Sequence, residues 1–407
     1  MNNPRLRFTP TKERTYPDYT PHKLKDLCEI RREVVDISKQ ADTRFLEYSM
    51  PAFDAGCNPK VICGAEVKSG RVPICGDVLL FNKLNVSKKR IWNIHNSPNN
   101  SVCSAEFMPV TTLSVLQDYL YYIVSTDKFT KSIEGSSSGT SNSQKRITPS
   151  VFLEQWLSFP CHEEQRRIAE FFTTLDKNIS LVERKLASME RLKKGLMQKI
   201  FSKEIRFKRD DGMEFPEWKS SMLKERLDLL KDGTHGSFKD SLVGYPLLSA
   251  KNIDGMIRIP RDSRLISEFD YRSIYSTYTL TVGDVLLTIV GSIGRSAIVS
   301  LPVPKVAFQR SVAILRPGVN ILSEFLNGLI QSNLFQKHLK AKTKAGAQCG
   351  VYLGDIGNIL IDYPSDIEEQ RKIASFLTTL DEKIALSKRK ITELKRQKQA
   401  FLQQMFV

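Results

Sequence analysis

EEQRRIAEFFTTLDKNISLVERKLASMERLKKGLMQKIF, residues Glu163–Phe201, has a near copy at Glu368–Phe406, EEQRKIASFLTTLDEKIALSKRKITELKRQKQAFLQQMF. The two align without a gap at a constant offset of 205 positions (163 to 368), and about half the positions are identical. Internal duplication explains this better than chance similarity between charged helices. Apolar residues recur at Ile168, Phe172, Leu175, Ile179, Val182, Leu186, Met189, Leu196 and Ile200. In the second copy they recur at Ile373, Leu377, Leu380, Ile384, Ile391, Leu394, Phe401 and Met405. Steps of three and four along a narrow seam predict two long helices, each packing along another helix. The alternative is that each seam packs on its own globular domain; matching length and register favour the pair. Neither copy contains Pro, and Gly195 is the single Gly. Pro160 and Pro364 stand just ahead, Ser365 with Glu368 reads as a capping box, and Cys161 occupies the place of a cap in the first copy. Lys193 and Lys398 fall at equivalent seam positions, where a polar residue sets register or snorkels outward.

The chain of 407 residues is long enough for two or three domains with real cores. No run of eighteen apolar residues occurs, which argues against a membrane span. The start, MNNPRLRFTP, lacks the apolar core of a signal peptide. Seven cysteines without paired spacing then read as free thiols of a cytoplasmic protein. Cys57, Cys63, Cys75 and Cys103 cluster loosely, but without a CxxC or a His pair they do not make a zinc motif. A net charge of +16 and a pI near 9.4 point to a polyanionic partner, nucleic acid first.

The duplication reaches beyond the helices. Arg5–Phe8 is echoed by Ile205–Lys208, Tyr16-Pro17-Asp18-Tyr19 by Phe215-Pro216-Glu217-Trp218, and Leu24-Lys25-Asp26 by Leu223-Lys224-Glu225. Gly76-Asp77-Val78-Leu79-Leu80 is matched by Gly283-Asp284-Val285-Leu286-Leu287, each reading as a Gly-Asp turn that leads into a buried strand. The expected order is a first domain over 1–160, a helix over 161–204, a second domain over 205–364 and a second helix over 365–407. Many short strands with few helices predict an α+β class. Between the landmarks the domains diverge. The first carries Lys83, Lys88-Lys89-Arg90 and the loop Gly135–Ser143 followed by Gln144-Lys145-Arg146. The second carries Asp232-Gly233-Thr234-His235-Gly236, a Gly291–Gly294 turn and the basic loop Lys340–Gln348. Loops on a rigid scaffold are where recognition residues collect.

The duplicated helices with their EEQ-R-I-A-x-F-x-T-T-L-D motif, Ser49–Asp54 (SMPAFD) and the two GDVLL segments resemble the specificity subunit of type I DNA restriction–modification systems over essentially the whole chain. The resemblance implies two target-recognition domains separated by an antiparallel two-helix coiled coil with pseudo-two-fold symmetry. It implies no catalytic site and no cofactor in this chain. Two modification subunits would carry S-adenosylmethionine, and restriction subunits would add ATP- and Mg-dependent cleavage in host defence.

The residues agree on catalysis. The chain has no Pro-Pro of an amino-methyltransferase motif and no GxxxxGK[ST]. Asp54 with Glu66 and Lys68 only faintly resembles a nuclease pattern. Connectivity makes the helices antiparallel: the second must run back to pack on the first. Each, at about forty residues, spans about 60 Å. Each domain then reads its own block of double-stranded DNA, and differing domains predict an asymmetric, split target. Candidate DNA contacts are Lys83, Lys88, Lys89, Arg90, Asn142, Gln144, Lys145 and Arg146 in the first domain. In the second they are Lys251, Asn252, Arg295, Arg310, Lys342, Lys344 and Gln348. The coiled-coil seam is expected at Ile168, Phe172, Leu175, Ile179, Leu186, Ile373, Leu377, Leu380, Ile384 and Ile391. The outer faces, with Arg184, Lys185, Arg389 and Arg396, suit partner subunits. The rival readings are a self-sufficient nuclease or methyltransferase and an architectural DNA-binding protein.

Overall fold

The computed structural model describes residues 4–11, 14–135, 146–343 and 350–406. The chain forms two compact units, Met1–Glu183 with Arg389–Val407, and Arg184–Lys388. Both boundaries fall inside the two long helices, His162–Phe201 and Ile367–Met405.

The first unit is built on a six-stranded sheet. Its strand order is Cys28–Ile30, Phe107–Thr112, Arg71–Asn82, Ile91–Ser104, Arg44–Tyr48 and Lys60–Cys63. Neighbours are antiparallel except Arg44–Tyr48 with Ile91–Ser104. Alternate residues of a strand face opposite sides, and here both sides are covered. Leu79 and Phe81 face a core with Tyr119, Ile123, Phe129 and Phe152, while Val78 and Leu80 face Tyr48, Trp92 and Phe107. Gly76 departs from the expected turn: it sits within the strand Arg71–Asn82, at φ +68°, where the ladder shifts register. The kink is a bulge, which a glycine tolerates. Its counterpart Gly283, at φ +90°, does precede the strand Val285–Thr288.

The second unit centres on four antiparallel strands in the order Leu227–Asp232, Val312–Pro317, Val285–Thr288 and Ser296–Ile298. The same alternation sends Val285 and Leu287 to a core with Phe325, Leu326 and Phe335, and Leu286 to a second core with Leu248 and Phe308. In both units an entry strand pairs with the strand leading into the long helix: Thr20–Lys23 with Trp156–Phe159, and Lys219–Met222 with Leu360–Tyr363.

The repeated EEQ has a structural cause. Glu164 and Glu369 are fully buried. Arg7 Nη2 donates to Glu164 at 2.7 Å, and Arg206 Nη2 to Glu369 at 3.0 Å. Removing one partner of such a buried pair costs about 3–5 kcal/mol. The next residues clamp the chain. Gln165 accepts from Leu116 N and donates to Pro160 O; Gln370 accepts from Leu322 N and donates to Pro364 O. The second helix starts differently from expectation. Ser365 Oγ donates to Glu217 O, and Asp366 accepts from Glu368 N at 2.9 Å, so Asp366 and not Ser365 is the cap.

The long helices run antiparallel in each unit. In the first unit Lys398 reaches Asp176 at 2.6 Å and Lys395 reaches Glu183 at 2.7 Å. In the second, Lys193 reaches Asp381 at 2.5 Å and Lys388 reaches Glu190 at 2.8 Å. Numbers rise on one helix as they fall on the other. The seam has two characters. Ile168 and Phe172 belong to the first core, together with Leu402, Met405 and Phe406 from the far end of the other helix. Ile373 and Leu377 belong to the second core, together with Met197, Ile200 and Phe201. Ile179 and Ile384 are buried, whereas Leu175, Leu186, Leu380 and Ile391 are half-buried. Domain packing and helix pairing thus share the seam.

Candidate nucleic-acid interface

In the first unit the strand Arg71–Asn82 exits at Lys83, whose N–H donates to Glu106 O and whose carbonyl accepts from Ile147 N. A short 3-10 turn, Val86–Lys88, follows between two left-handed residues, Asn85 at φ +54° and Lys89 at φ +47°. Asn takes this conformation readily, and a long side chain does so less often. The turn sends neighbouring cations to different fates. Lys88 is exposed. Lys89 pairs with Asp127. Arg90 donates to both oxygens of Asp54, at 2.7 and 2.6 Å, and is 13 % exposed. That guanidinium holds the Asp54 carboxyl below its ordinary range. Glu66, the second member of the faint nuclease pattern, accepts from Cys63 N. Arg146 bridges to Leu84 and pairs with Glu106 at 2.6 Å. Asn142, Gln144 and Lys145 lie outside the described residues.

The second unit repeats this layout with different chemistry. The strand Val285–Thr288 runs into a turn through Gly291 and Gly294, at φ +77° and +90°. The φ of +90° at Gly294 is strained for any residue with a Cβ, which is what favours glycine here; Gln336 Nε2 donates to Gly294 O beside it. Arg295 leaves the turn exposed, its N–H held by Thr288 Oγ1 at 2.9 Å. Val290 bridges to Gly350, as Leu84 does to Arg146. Lys342 is exposed at the end of the helix Asn333–Ala341; Lys344 and Gln348 lie outside the described residues.

Lys251 is exposed, but Asn252 is 4 % exposed and its amide is engaged: Oδ1 accepts from Ser249 N and Nδ2 donates to Arg258 O. Arg310 is exposed beside Ser311, whose Oγ accepts from Ala250 N. The side chains of Lys88, Lys251, Arg295 and Lys342 make no hydrogen bond or ion pair with another described residue. The structure therefore separates the sequence candidates into cations open to solvent and side chains holding the fold.

Arg310 also lines a cleft of about 250 Å³ with Asp232, His235 and Tyr352. Sequence reasoning passed over those three. The divergent stretch Asp232–Gly236 was a signal, but nothing in the sequence connects it to Tyr352.

The model of the type I restriction modification DNA specificity domain matches residues 17–191 and 245–396. The chain belongs to the type I restriction–modification DNA specificity family. The first matched segment holds most of the first domain and the second, from Tyr245, the later part of the second domain; each runs well into the long helix that follows. The chain is similar to the specificity subunit of the type I restriction enzyme MjaVIII of Methanocaldococcus jannaschii, at 25% identity over 312 residues, covering 74% of this chain and 72% of that protein. Two solved structures share the specificity-subunit fold. The S subunit of a type I restriction-modification system from M. genitalium has a TM-score of 0.62 at 14% identity, covering 100% of this chain and 99% of that one. A chain from work on assembly and conformational transition of the type I R-M system has a TM-score of 0.60 at 21% identity, covering 95% and 97%. Among the described residues, no helix of this family member is long and apolar enough to cross a membrane.

Proposed function

We propose that this chain is the sequence-specific double-stranded DNA-binding subunit of a type I restriction–modification complex, acting in the cytoplasm. One domain reads each half of an asymmetric, split site. The observation that carries this reading is the duplication of a shared frame around unlike surfaces. The EEQ clamp and the Lys–Asp pairs recur in both units, while the strand exits carry Lys88 and Arg146 in one and Arg295 and Lys342 in the other. A frame kept twice with divergent readers suits one scaffold addressing two different sequences.

Open cations such as Lys88 and Lys251 would position phosphates, and sequence would be read by forks and pockets at the strand exits. Methyl transfer would belong to two modification subunits carrying S-adenosylmethionine. ATP- and Mg-driven cleavage would belong to restriction subunits, and this chain would hold no cofactor of its own. Leu181, Leu192 and Leu386 are more than half exposed on the long helices, and Arg184, Lys185 and Arg389 are exposed as well. Apolar side chains rimmed by charge support partner docking there.

The test is base-resolution methylation mapping in a host carrying the modification subunits, with and without this chain. Methylation at a split, asymmetric site only when the chain is present is expected. Exchanging residues up to about Leu157 for those of a related subunit should change one half of the site. Methylation or cleavage by the purified chain alone would favour a self-sufficient enzyme instead.

A further inference from the structure

We propose that the cleft beside Asp232 is where the second domain reads a base through its exocyclic amino group, the N4 of cytosine or the N6 of adenine. The proposal rests on the DNA-specificity reading and names the chemistry of one contact within it. The cleft has an apolar floor, Ile289 and Val351, each 3 % exposed, and an aromatic rim, Tyr352, 64 % exposed. Arg310 lines it as well, and its N–H donates to Thr234 O at 3.0 Å, while Thr234 N donates to Phe308 O at 2.7 Å. These bonds fasten the His235 loop to the Arg310 segment, so the lining comes from braced backbone.

The decisive group is Asp232, at the end of the strand Leu227–Asp232. His235 Nε2 lies 2.6 Å from Asp232 Oδ2. An ionised carboxylate only accepts, so His235 must carry its proton on Nε2 and donate. That bond orients the carboxylate and leaves Oδ1 without a hydrogen bond from any described residue. An acceptor above an apolar floor is a poor phosphate site, because carboxylate and phosphate repel. It suits a donor on a flat, weakly polar body. In duplex DNA the major-groove edges of cytosine and adenine offer such a donor, and an acidic side chain accepting from cytosine N4 is an established pairing type. Arg310 then serves the neighbouring backbone, where a cation positions without specifying.

The experiment selects bound duplexes from a random-sequence pool with the full-length chain. Asp232→Asn keeps the shape; its amide oxygen can accept from His235, which turns the amide N–H₂ toward the cleft. The expected result is a change at a single position of one block, from cytosine or adenine toward guanine or thymine, with the other block unchanged. Unchanged preference at every position overturns the proposal. Tyr352→Ala, at an exposed position, guards against loss of folding in the first variant. It should reduce affinity for the selected site roughly tenfold, the scale of one base contact, and leave mixed-sequence DNA binding within about twofold, since phosphate contacts persist. An equal loss on both DNAs, or on neither, also overturns it. A wild-type chain that selects no sequence would sink the specificity reading itself.

Discussion

Lys398 Nζ lies 2.6 Å from Asp176 Oδ1 and 2.8 Å from Oδ2, joining residues 222 positions apart in the chain. Lys193 and Asp381 repeat the contact at 2.5 Å, with the roles of the two helices exchanged. Both aspartates end the T-T-L-D motif, so the motif and the seam lysines form one device that sets antiparallel register.

Asp176→Lys should destabilise the first unit, and adding Lys398→Asp should recover much of the loss. The coupling is expected at about 1 kcal/mol, toward the upper range for partly exposed pairs. A double-mutant cycle on urea unfolding reads it. Strictly additive effects would mean the pair does not set register.

Phe406 stacks on Phe172 with ring centroids 5.7 Å apart and meets Tyr119 at 5.4 Å, so the C-terminal end completes the core of the first unit. Phe406→Ala should cost about 3–5 kcal/mol, as large-to-small changes in aromatic cores do. Hydrogen exchange should accelerate in the helices Gln117–Val124 and Asp127–Glu134, far away in sequence. Unchanged protection there would show that the end is not part of that core.

The basic tract Lys88-Lys89-Arg90 should not act as one patch. Lys88→Ala is expected to lower the salt dependence of DNA binding by about 0.9 in log–log slope, one phosphate contact. Arg90→Ala should leave the slope near wild type and lower thermal stability, because it strips Asp54 of its partner. Titration of binding against salt distinguishes them; equal slope changes would place Arg90 on the DNA.

Glu154 accepts from Lys23 and Lys25, and these bonds bring its carboxyl down to about 2. A folded-state value below the ordinary 4.5 stabilises above that ordinary value and is lost as pH falls toward about 2. The packing of the strand Thr20–Lys23 on Trp156–Phe159 should therefore loosen across that acid window. Glu154→Gln should flatten the pH dependence there, and added salt should shrink the wild-type effect because the group is exposed. Tryptophan fluorescence at Trp156 follows it; identical acid profiles for both proteins would exclude the mechanism.

The helices, the duplication and the antiparallel direction were legible from the sequence alone. Periodicity is local, and a repeat at constant offset needs no knowledge of contacts. The positive charge likewise named the class of partner. Which cations stay open to solvent was decided only by tertiary structure. Lys88 and Arg90 are near neighbours of like charge, yet one is exposed and the other is locked to Asp54. Asn252 has the composition of a base reader, but burial and two hydrogen bonds give it to the backbone. The cap at Asp366 and the cleft that joins Asp232 to Tyr352 have the same origin. A side chain's role depends on which polar groups the fold brings opposite it, far along the chain for Arg90 and Asp54 or close by for Asn252 and Ser249, and spacing or composition does not reveal that geometry.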